Sequence, residues 1–374
     1  MRVQIREVVN RKQLKEFIYL PARIHQNHPK WVPPIYKQEW TYFDPSSNPE
    51  FQHSETVLAL AWQNDEVAGR IMGIINHRYN RYRQEKGARF AYLECGDNQE
   101  VAYALLSFIE RWAIERNMQK IVGPMGFSDQ DPEGFLIEGY EHEPTLATYY
   151  NYEYMIQLLE KEGYKKDVDY VVYKLMVPEK MPEFYRRIYR RISRNKNFHL
   201  IEFSKKKQLK PYIRPIFELM NDTFKDIYGY FPLDVKEMDE LGKRYLPIID
   251  PRFVKLVARN HEIAAFIIGI PNMAQGLREA KGQLFPFGVF KILRAAKKSK
   301  QLDLYLGGIK EEIRGKGLDV MMGVKMIESC QKAGIEFIDS HHELEGNLKM
   351  RSEMERLEGE VYKRYRIFQK SLKT

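Results

Sequence analysis

The segment from residue 302 to residue 334 constrains the fold of this chain more than any other. Residues 302–308, LDLYLGG, alternate leucine with other side chains and end in two glycines, which is the pattern of a strand that leads into a turn. Residues 318–333 place apolar side chains about one helical turn apart. The sequence therefore predicts a strand, a glycine-rich loop and a helix in succession.

The loop between them, Arg314-Gly315-Lys316-Gly317, has the composition of an anion-binding site. Glycine lacks the Cβ that would obstruct a tight turn, so consecutive backbone N–H groups can converge at the start of the helix. Such a group of amides binds a diphosphate, and Arg314 and Lys316 add positive charge where the phosphates would lie. We therefore predict that this loop holds the diphosphate of a nucleotide cofactor.

A weak internal repeat is the second constraint. Residues 57–74 (VLALAWQNDEVAGRIMGI) align without gaps with residues 253–270 (FVKLVARNHEIAAFIIGI), and both blocks have the pattern of two strands around a polar turn. A strand and a helix follow each block, at 90–116 in the first and at 302–333 in the second. Two copies of one α/β unit account for this order.

The length of 374 residues exceeds the size at which a single core usually stops growing, so we expect two domains. The predicted division is a first domain at residues 1–178, a linker helix at 179–197 and a second domain at 198–374. Pro178 and Pro182 break the chain at the boundary, and the basic helix after them has apolar residues four apart. The predicted fold class is α/β, with mixed sheets of the α+β kind.

The C-terminal half resembles the GNAT superfamily of N-acetyltransferases. The loop of that family follows Arg/Gln-x-x-Gly-x-Gly/Ala; Arg314 and Gly317 match it, whereas Asp319 stands at the last position, where a carboxylate would cap the helix or repel phosphate. The next strand, the helix that opens at Asn347 and the last strand, VYKRYRIF, also follow the family's order. The resemblance covers residues 199–374 and implies two GNAT-like acyl-CoA N-acyltransferase folds in tandem, of which the first is degenerate.

The resemblance also implies a cofactor, acetyl-CoA or another acyl-CoA. In the family, backbone groups at the end of the fourth strand bind the pantetheine arm and the acyl oxygen, while the loop binds the diphosphate. Carried over to this sequence, the cofactor-binding residues are Gly308, Ile309, Arg314, Gly315, Lys316, Gly317, Leu318 and Asn347.

The family's reaction is direct attack of an amine on the thioester, which needs a base for the amine and an acid for the departing thiolate. That acid is commonly a Tyr seven residues after the helix Asn, and here Met354 stands there. Tyr365 in the last strand is the nearest substitute by topology, Tyr305 in the central strand is the second, and His342 and Glu345 are candidate bases. All four also have a structural alternative, because strand tyrosines usually pack their rings and a glutamate can cap a helix.

The matching loop of the first copy predicts a different role. Residues 94–100, ECGDNQE, lack the basic residue and the glycine pair. Asp97 and Glu100 have the spacing of a capping box, whose side chains would satisfy the amides that a cofactor needs. We therefore expect that the first copy does not bind coenzyme A.

Four other segments each leave two interpretations open. Residues 123–134, GPMGFSDQDPEG, could line a substrate cleft and hold an ammonium group, or form a long structured turn. Residues 285–300 could lie on a membrane or cover an acyl chain, or pack as an amphipathic helix on the protein's own core. The basic helix 185–194 could bind RNA or act as a linker, and the tyrosine-rich residues 149–154 could stack a ring or pack a domain interface. The second interpretation is favoured in each case.

The net charge and the two cysteines limit the kinds of partner and site that we expect. Sixty basic against fifty-one acidic residues leave a net charge of +9, which favours anionic partners. Cys95 and Cys330 lie far apart in sequence, which predicts neither disulfide nor zinc site and fits a reducing cytosol. His341-His342 lacks the spacing of a metal site. No stretch has the roughly 20 apolar residues of a transmembrane helix, so we expect a cytoplasmic protein without a metal.

The expected function is acyl-CoA-dependent N-acyl transfer, in the first instance acetyl transfer, to a small-molecule or peptide amine. We expect no stable nucleic acid partner, and homodimer formation is open. An aminoacyl-tRNA-dependent transferase is one alternative, because tandem GNAT-like folds and basic surfaces occur together there. A catalytically silent acyl-CoA-binding or sensing protein is the other, because Met354 replaces the acid.

Overall fold

The computed structural model describes residues 2–145 and 148–372, so the outermost predicted domain limits, residues 1 and 374, lie outside the described residues. The elements of the first half are β1 (Gln4–Glu7), α1 (Arg11–Ile24), α2 (Tyr36–Tyr42), β2 (Ser54–Gln63), β3 (Glu66–Asn76), α3 (His77–Arg83), β4 (Gly87–Cys95), α4 (Gln99–Ile114), β5 (Lys120–Gly123), β6 (Phe135–Glu138), α5 (Tyr154–Lys161) and β7 (Lys165–Met176). Helix α6 (Glu183–Ser193) follows, within the predicted linker segment 179–197.

The elements of the second half are β8 (His199–Glu202), α7 (Ile213–Thr223), α8 (Val235–Tyr245), β9 (Val254–Arg259), β10 (Glu262–Pro271), α9 (Ala274–Ala280), α10 (Gly288–Lys298), β11 (Gln301–Ile309), α11 (Leu318–Ala333), β12 (Phe337–Asp339), β13 (Glu343–Leu344), α12 (Leu348–Arg356) and β14 (Glu360–Ser371). Among the described residues, no helix combines the length and apolar character needed to cross a bilayer.

One mixed sheet runs through the whole molecule, which confirms the predicted fold class. Its strand order is β1-β2-β3-β4-β5-β14-β7-β12-β11-β10-β9-β8, with β6 on β14 and β13 on β7. The pairs β4–β5 and β11–β12 are parallel, and the other pairs are antiparallel. The order of strands and helices in one half repeats in the other, as the alignment of residues 57–74 with 253–270 predicts.

The two aligned hairpins form for a local reason. In each, a two-residue loop joins the strands, with positive φ angles of 55° and 63° at Asn64 and Asp65 and of 50° and 68° at Asn260 and His261. Two consecutive left-handed residues match the right-handed twist of an antiparallel pair, and asparagine and aspartate adopt this conformation at little cost. The polar turns seen in the sequence therefore fix the same register in both copies.

The last strand of each half lies in the other half's part of the sheet. Strand β7 pairs with β12, as at Leu175 and Ile338, and β14 pairs with β5, as at Gln369 and Val122. Strands β7 and β14 also pair with each other along most of their length. Each half therefore takes its last strand's neighbour from the other half. The domain boundary near residue 178 stays a prediction.

The two parallel strand pairs, β4–β5 and β11–β12, are each only three residues long. Beyond the paired residues the backbone ladder between the two strands of each pair ends. Strands β11 and β12 pair over three residues, ending at Asp303 and Asp339, so residues 304–309 pair with β10 on one side only. The register with β10 shifts at Tyr305, because Ile268 pairs with Leu306 while Gly269 pairs with Leu304. Because the pairing between β11 and β12 stops at Asp303 and Asp339, an opening lies between the two strands beyond these residues, next to the bulge.

Helices cover both faces of the sheet on either side of this opening. Helix α11 packs on one face of the second half, with Met322 and Met326 buried against β9, β10 and β12. Helices α7 and α8 cover the other face, where Phe217 and Leu241 are buried against β9 and β10. The opening is therefore reached from α11 on one face and from α8 on the other.

Candidate active site

The predicted cofactor loop is an exposed turn that leads directly into α11. Gly315 and Gly317 have positive φ angles of 73° and 82°, which glycine adopts without steric cost. In the described chain no side chain caps α11, so the carboxylate of Asp319 does not occupy the first amides of the helix. A Cβ at Gly315 would meet no atom within 4 Å. Within the loop the amide of Lys316 donates to the carbonyl of Ile313 at 3.4 Å, so the amides left for an anion are those at the uncapped start of α11.

Helix α6 supports the inner side of this loop, a role that the sequence analysis did not foresee. A Cβ at Gly317 would lie 2.3 Å from Cδ1 of Ile192 and 3.3 Å from Cγ2 of Ile188, so the glycine is needed for close packing as well as for its φ angle. Both isoleucines belong to α6, and they pack in one hydrophobic cluster with Leu318 and Met322 of α11. The linker thus fixes the position of the loop.

The other predicted cofactor residues lie at the end of β11 and at the starts of α11 and α12. Gly308 and Ile309 form the end of β11, and the carbonyl of Ile309 accepts a hydrogen bond of 3.2 Å from Nε of Arg314. Leu318 is buried and anchors the start of α11, so only its backbone can face a ligand. Asn347 caps α12, accepting a hydrogen bond of 3.3 Å from the amide of Met350.

The corresponding loop of the first copy has its amides occupied. The predicted Asp97–Glu100 capping box is wrong in its residues: Asn98 is the cap of α4 and accepts from the amides of Glu100 and Val101. Asn98 can do so because its short side chain reaches N2 and N3 from the extended N-cap position. The occupied amides agree with the prediction that this copy does not bind coenzyme A.

A row of aromatic rings crosses the opening beside β11. Neighbouring ring centroids are between 4.4 and 5.6 Å apart. The row consists, in spatial order, of Tyr245, Tyr305, His341, His342 and Tyr365, with Tyr170 stacked on the other side of His342. The fold therefore brings together three of the four predicted catalytic residues, which are Tyr305, His342 and Tyr365.

The fourth predicted residue, Glu345, lies apart from the row. Its carboxylate pairs with Lys166 at 2.7 Å and with Arg364 at 2.9 Å. The hydrogen bond from Lys166 holds the pKa of Glu345 below its usual range, so the group is ionised and already partnered. This geometry favours the structural alternative for Glu345.

His342 and Tyr365, both in the row, differ in whether they have a side-chain atom free for proton transfer. Nε2 of His342 is buried without a hydrogen-bond partner in the described chain, and burial, with His341 and Lys363 nearby, holds its pKa well below the usual range. A neutral imidazole with a free nitrogen can exchange a proton with a ligand. Tyr365 is fully buried and its hydroxyl lies 3.4 Å from Oγ1 of Thr148, which favours a packing role.

The glycine- and acid-rich loop of the first half reaches this row. Burial raises the pKa of Asp129 to about 7 and that of Asp131 and Glu133 above the usual range. Oε2 of Glu133 is buried without a hydrogen bond in the described chain, whereas Asp131 accepts a hydrogen bond of 2.8 Å from the hydroxyl of Tyr42. These carboxylates line the interior of the molecule rather than a solvated turn.

Asp129 carries one of the negative charges that act on the tyrosines of the second half. Burial and the hydrogen bond to Tyr245 hold the pKa of Tyr305 well above its usual range, and the negative charge of Asp129 adds to this shift. This influence of Asp129 on Tyr305 was missed from sequence, although the acidic loop had been noted as a candidate cleft. The glycines and acidic residues of this loop, and its position after a strand, were the sequence signals for a functional role.

A narrow apolar cavity adjoins the same tyrosines. It measures ≈ 50 Å³ and lies between α7, α8 and strands β10 and β11. Its lining includes Ile213, Phe217, Leu246, Ile268, Leu306 and the ring of Tyr305. Tyr305 thus borders an apolar cavity and is also influenced by the charge of the acidic loop.

Known proteins resemble this chain over nearly its whole length. No family model matches the sequence. The bacterial ceramide synthase of Caulobacter vibrioides (strain NA1000 / CB15N) is 27% identical over 368 residues, which cover 96% of this chain and 95% of that protein. Protein YghO of Escherichia coli (strain K12) is 24% identical over 377 residues, covering 98% of this chain and 95% of that protein.

Solved structures resemble it in fold. A tandem GNAT protein from the clavulanic acid biosynthesis pathway superposes with a TM-score of 0.57 at 10% identity, covering 100% of this chain and 99% of the other. A GCN5-related N-acetyltransferase from Sphaerobacter thermophilus gives a TM-score of 0.54 at 12% identity, covering 100% of this chain and 96% of the other. Together with the repeated element order and the single mixed sheet, these likenesses show that the chain has the tandem GNAT fold.

Proposed function

We propose that the protein is an acyl-CoA-dependent N-acyltransferase whose acceptor site lies between its two halves. The observation that carries the proposal is the hydrogen bond of 2.6 Å between Tyr245 and Tyr305 at the bulge of β11, where the negative charge of Asp129 from the first half adds to the raised pKa of Tyr305. An acidic group suits a cationic amine, and the opening leads from there to the loop at α11. Donor and acceptor thus approach from opposite faces of the sheet.

The donor side fits a diphosphate. In the described chain the start of α11 has no side-chain cap, and Arg314 and Lys316 are exposed beside it. Bound coenzyme A would supply the activated acyl group as a thioester. The unpaired side of β11 beyond Asp303, including Gly308 and Ile309, offers backbone groups for the pantetheine arm and for the acyl oxygen.

The acceptor side fits an amine that must lose a proton before it attacks. A free alkyl amine has a pKa of about 10.4, so it arrives as an ammonium ion. We assign the general base to Asp129, because its pKa of about 7 balances ionisation against basicity near neutral pH. Glu133, whose Oε2 is buried without a hydrogen bond in the described chain, is a second carboxyl of the acidic loop.

The proton for the departing thiolate is assigned to Tyr305. The family's tyrosine is replaced by Met354, which is buried on the inner side of α12 and has no proton to give. The raised pKa of Tyr305 keeps its hydroxyl protonated at neutral pH, as a general acid must be. His342, with its free Nε2 in the same row, is the second candidate for moving this proton.

The substrate class that we favour is a long-chain acyl group transferred to a lipid amine, in place of acetyl transfer. The relative from Caulobacter vibrioides is a ceramide synthase, and a ceramide is the amide of a fatty acid with a long-chain amino alcohol. Forming that amide is N-acyl transfer. The apolar cavity beside Tyr305 offers a place where an aliphatic chain can begin to enter the core.

The test is turnover with a matched set of donors and acceptors. Acetyl-CoA and palmitoyl-CoA are each incubated with a long-chain amino alcohol and with a short, water-soluble amine, and the free thiol and the amide product are both quantified. We expect the long-chain pair to give amide and thiol in equal amounts, and Asp129→Asn to abolish both. Tight binding of acyl-CoA without turnover would support the silent sensor, and activity only with aminoacyl-tRNA would support the other alternative.

A further inference from the structure

The insertion between β10 and β11 presents apolar side chains to solvent. Phe285, Phe287, Phe290 and Leu293 are 76%, 67%, 71% and 53% exposed. Phe290 and Leu293 lie on the outer side of α10, and the two other phenylalanines lie in the turn that precedes it. Single exposed apolar residues are ordinary, but four large ones on one short segment form a patch of the kind that contacts a partner.

The charge around this patch has one sign. Between Glu279 and Asp303 the sequence has no acidic residue. The same stretch has the basic residues Lys281, Lys291, Arg294, Lys297, Lys298 and Lys300. Arg294, Lys297 and Lys298 are exposed on α10 itself, beside Phe290 and Leu293. An apolar strip bordered by cations on one helix matches an anionic lipid surface, where acyl chains lie under phosphate groups.

The inner side of α10 is firmly packed, so the patch is not a loose segment waiting to fold onto the core. Gly288 and Ile292 are buried, and a Cβ at Gly276 of α9 would lie 2.6 Å from Cα of Ile292. With its inner side filled, the helix has no room on the protein's own surface for its outer apolar residues. The favoured sequence interpretation, packing on the core, accounts for Ile292 but not for Phe290 or Leu293.

This insertion is continuous with the candidate active site. Ile292 belongs to a hydrophobic cluster with Ile270 and Met273, and the ring of Tyr305 packs against the same cluster. A surface bound at α10 would therefore lie next to the strand that carries the bulge.

We propose that residues 285–298 dock the protein on an anionic phospholipid bilayer, with the phenylalanines and Leu293 at the level of the acyl-chain boundary and the basic residues on the headgroup phosphates. The docking itself stands on the exposed patch and its charge. Its purpose, admitting a lipid amine and a long acyl chain beside Tyr305, rests on the proposed function.

Sedimentation with vesicles tests the docking without any turnover. The full-length protein is mixed with vesicles of phosphatidylcholine alone or of phosphatidylcholine with phosphatidylglycerol. We expect binding to the anionic vesicles, with a partition coefficient about tenfold or more above that for the neutral ones, weakening as salt rises. Equal binding to both vesicle types, or to neither, overturns the proposal.

Two variants locate the contact. Replacing Phe287, Phe290 and Leu293 with serine should reduce binding to anionic vesicles about tenfold or more, because the apolar insertion is lost. Replacing Arg294, Lys297 and Lys298 with glutamine should reduce it by about fivefold for each cation removed. The matched control is Phe184→Ser, which removes an exposed phenylalanine from another basic helix, α6, and should leave binding unchanged.

The outcomes separate this proposal from the proposed function. If the serine variant loses vesicle binding but still acylates a water-soluble amine without vesicles, both stand. If wild type binds vesicles but acylates no amine, the docking stands and the function fails. If light scattering shows a dimer that the serine variant dissociates, the patch is a contact between two copies of the chain and the docking proposal is overturned.

Discussion

The phenol oxygens of Tyr245 and Tyr305 lie 2.6 Å apart, which ties the end of α8 to the bulge of β11. This single hydrogen bond joins the helix that covers the acceptor side to the strand that borders the cofactor side. Both rings lie in the aromatic row and beside the apolar cavity. The pair therefore stands where the two substrates of the proposed reaction would meet.

Removing the hydroxyl of Tyr305 tests its role as the acid. Tyr305→Phe should lower kcat by about 10²- to 10⁴-fold with little change in acyl-CoA affinity, because the lost proton acts on the leaving thiolate. Tyr245→Phe should have a smaller effect, since it removes only the hydrogen-bond partner. Steady-state kinetics and equilibrium acyl-CoA binding measure the two effects, with the exposed Tyr103→Phe as control. Unchanged kcat in Tyr305→Phe would move the acid to His342.

The pH dependence of the rate tests Asp129. Burial raises its pKa to about 7, so the carboxylate that accepts the amine's proton is present above this pH and is lost below it. We expect kcat/KM to fall as pH drops through about 7, and Asp129→Asn to lose about 10²- to 10⁴-fold activity at pH 8. The exposed Asp97→Asn is the control. An unchanged acidic limb in Asp129→Asn would assign the base elsewhere.

Charge reversal in the loop tests the diphosphate site. Lys316→Glu should weaken coenzyme A binding by about tenfold or more, because a favourable charge beside the phosphates becomes repulsive. The control is Lys332→Glu, the same change at the exposed C-terminal end of α11, the helix that follows the loop. Calorimetry at low and high salt measures both. Gly317→Asp is a less clear test, because its Cβ would also collide with Ile192. Equal affinity in the two lysine variants would show that the cofactor binds elsewhere.

The pH dependence of the free energy of unfolding tests the protonation of Glu343, a carboxyl that was not among the residues predicted from sequence. Burial raises the pKa of Glu343 to about 8, above that of an unfolded glutamate, so the folded state binds the proton more tightly. The free energy of unfolding should therefore fall as pH rises from about 5 to about 8, by on the order of 1 kcal/mol per pH unit for this group.

Glu343→Gln should remove that part of the pH dependence and be more stable than wild type at pH 8 by a larger margin than at pH 5. Urea unfolding at the two pH values measures the difference, with the exposed Glu360→Gln as the matched change. A parallel pH dependence in wild type and Glu343→Gln would mean that this carboxyl is more solvated than its position indicates.

Local features of the sequence determined the parts of the fold that depend on neighbours in the chain. Asn64-Asp65 and Asn260-His261 select the hairpin turn through their tolerance of positive φ, and so fix the repeat. The loop Arg314 to Gly317 forms the predicted turn into α11, because its glycines adopt the required backbone conformation without help. The helix cap was misplaced by one residue, at Asp97 in place of Asn98, since both side chains can cap and only the chain's path selects one.

Tertiary structure alone decided what meets across the molecule. The alternation of apolar residues in β7 and β14 marks them as strands, but it does not say which sheet edge each joins, and each pairs with a strand of the other half. The same long-range packing lets the charge of Asp129 act on Tyr305. It also raises the pKa of both groups, because desolvation depends on every element that surrounds a group. Turn and loop chemistry is local and can be read from sequence, whereas burial and proximity belong to the assembled fold.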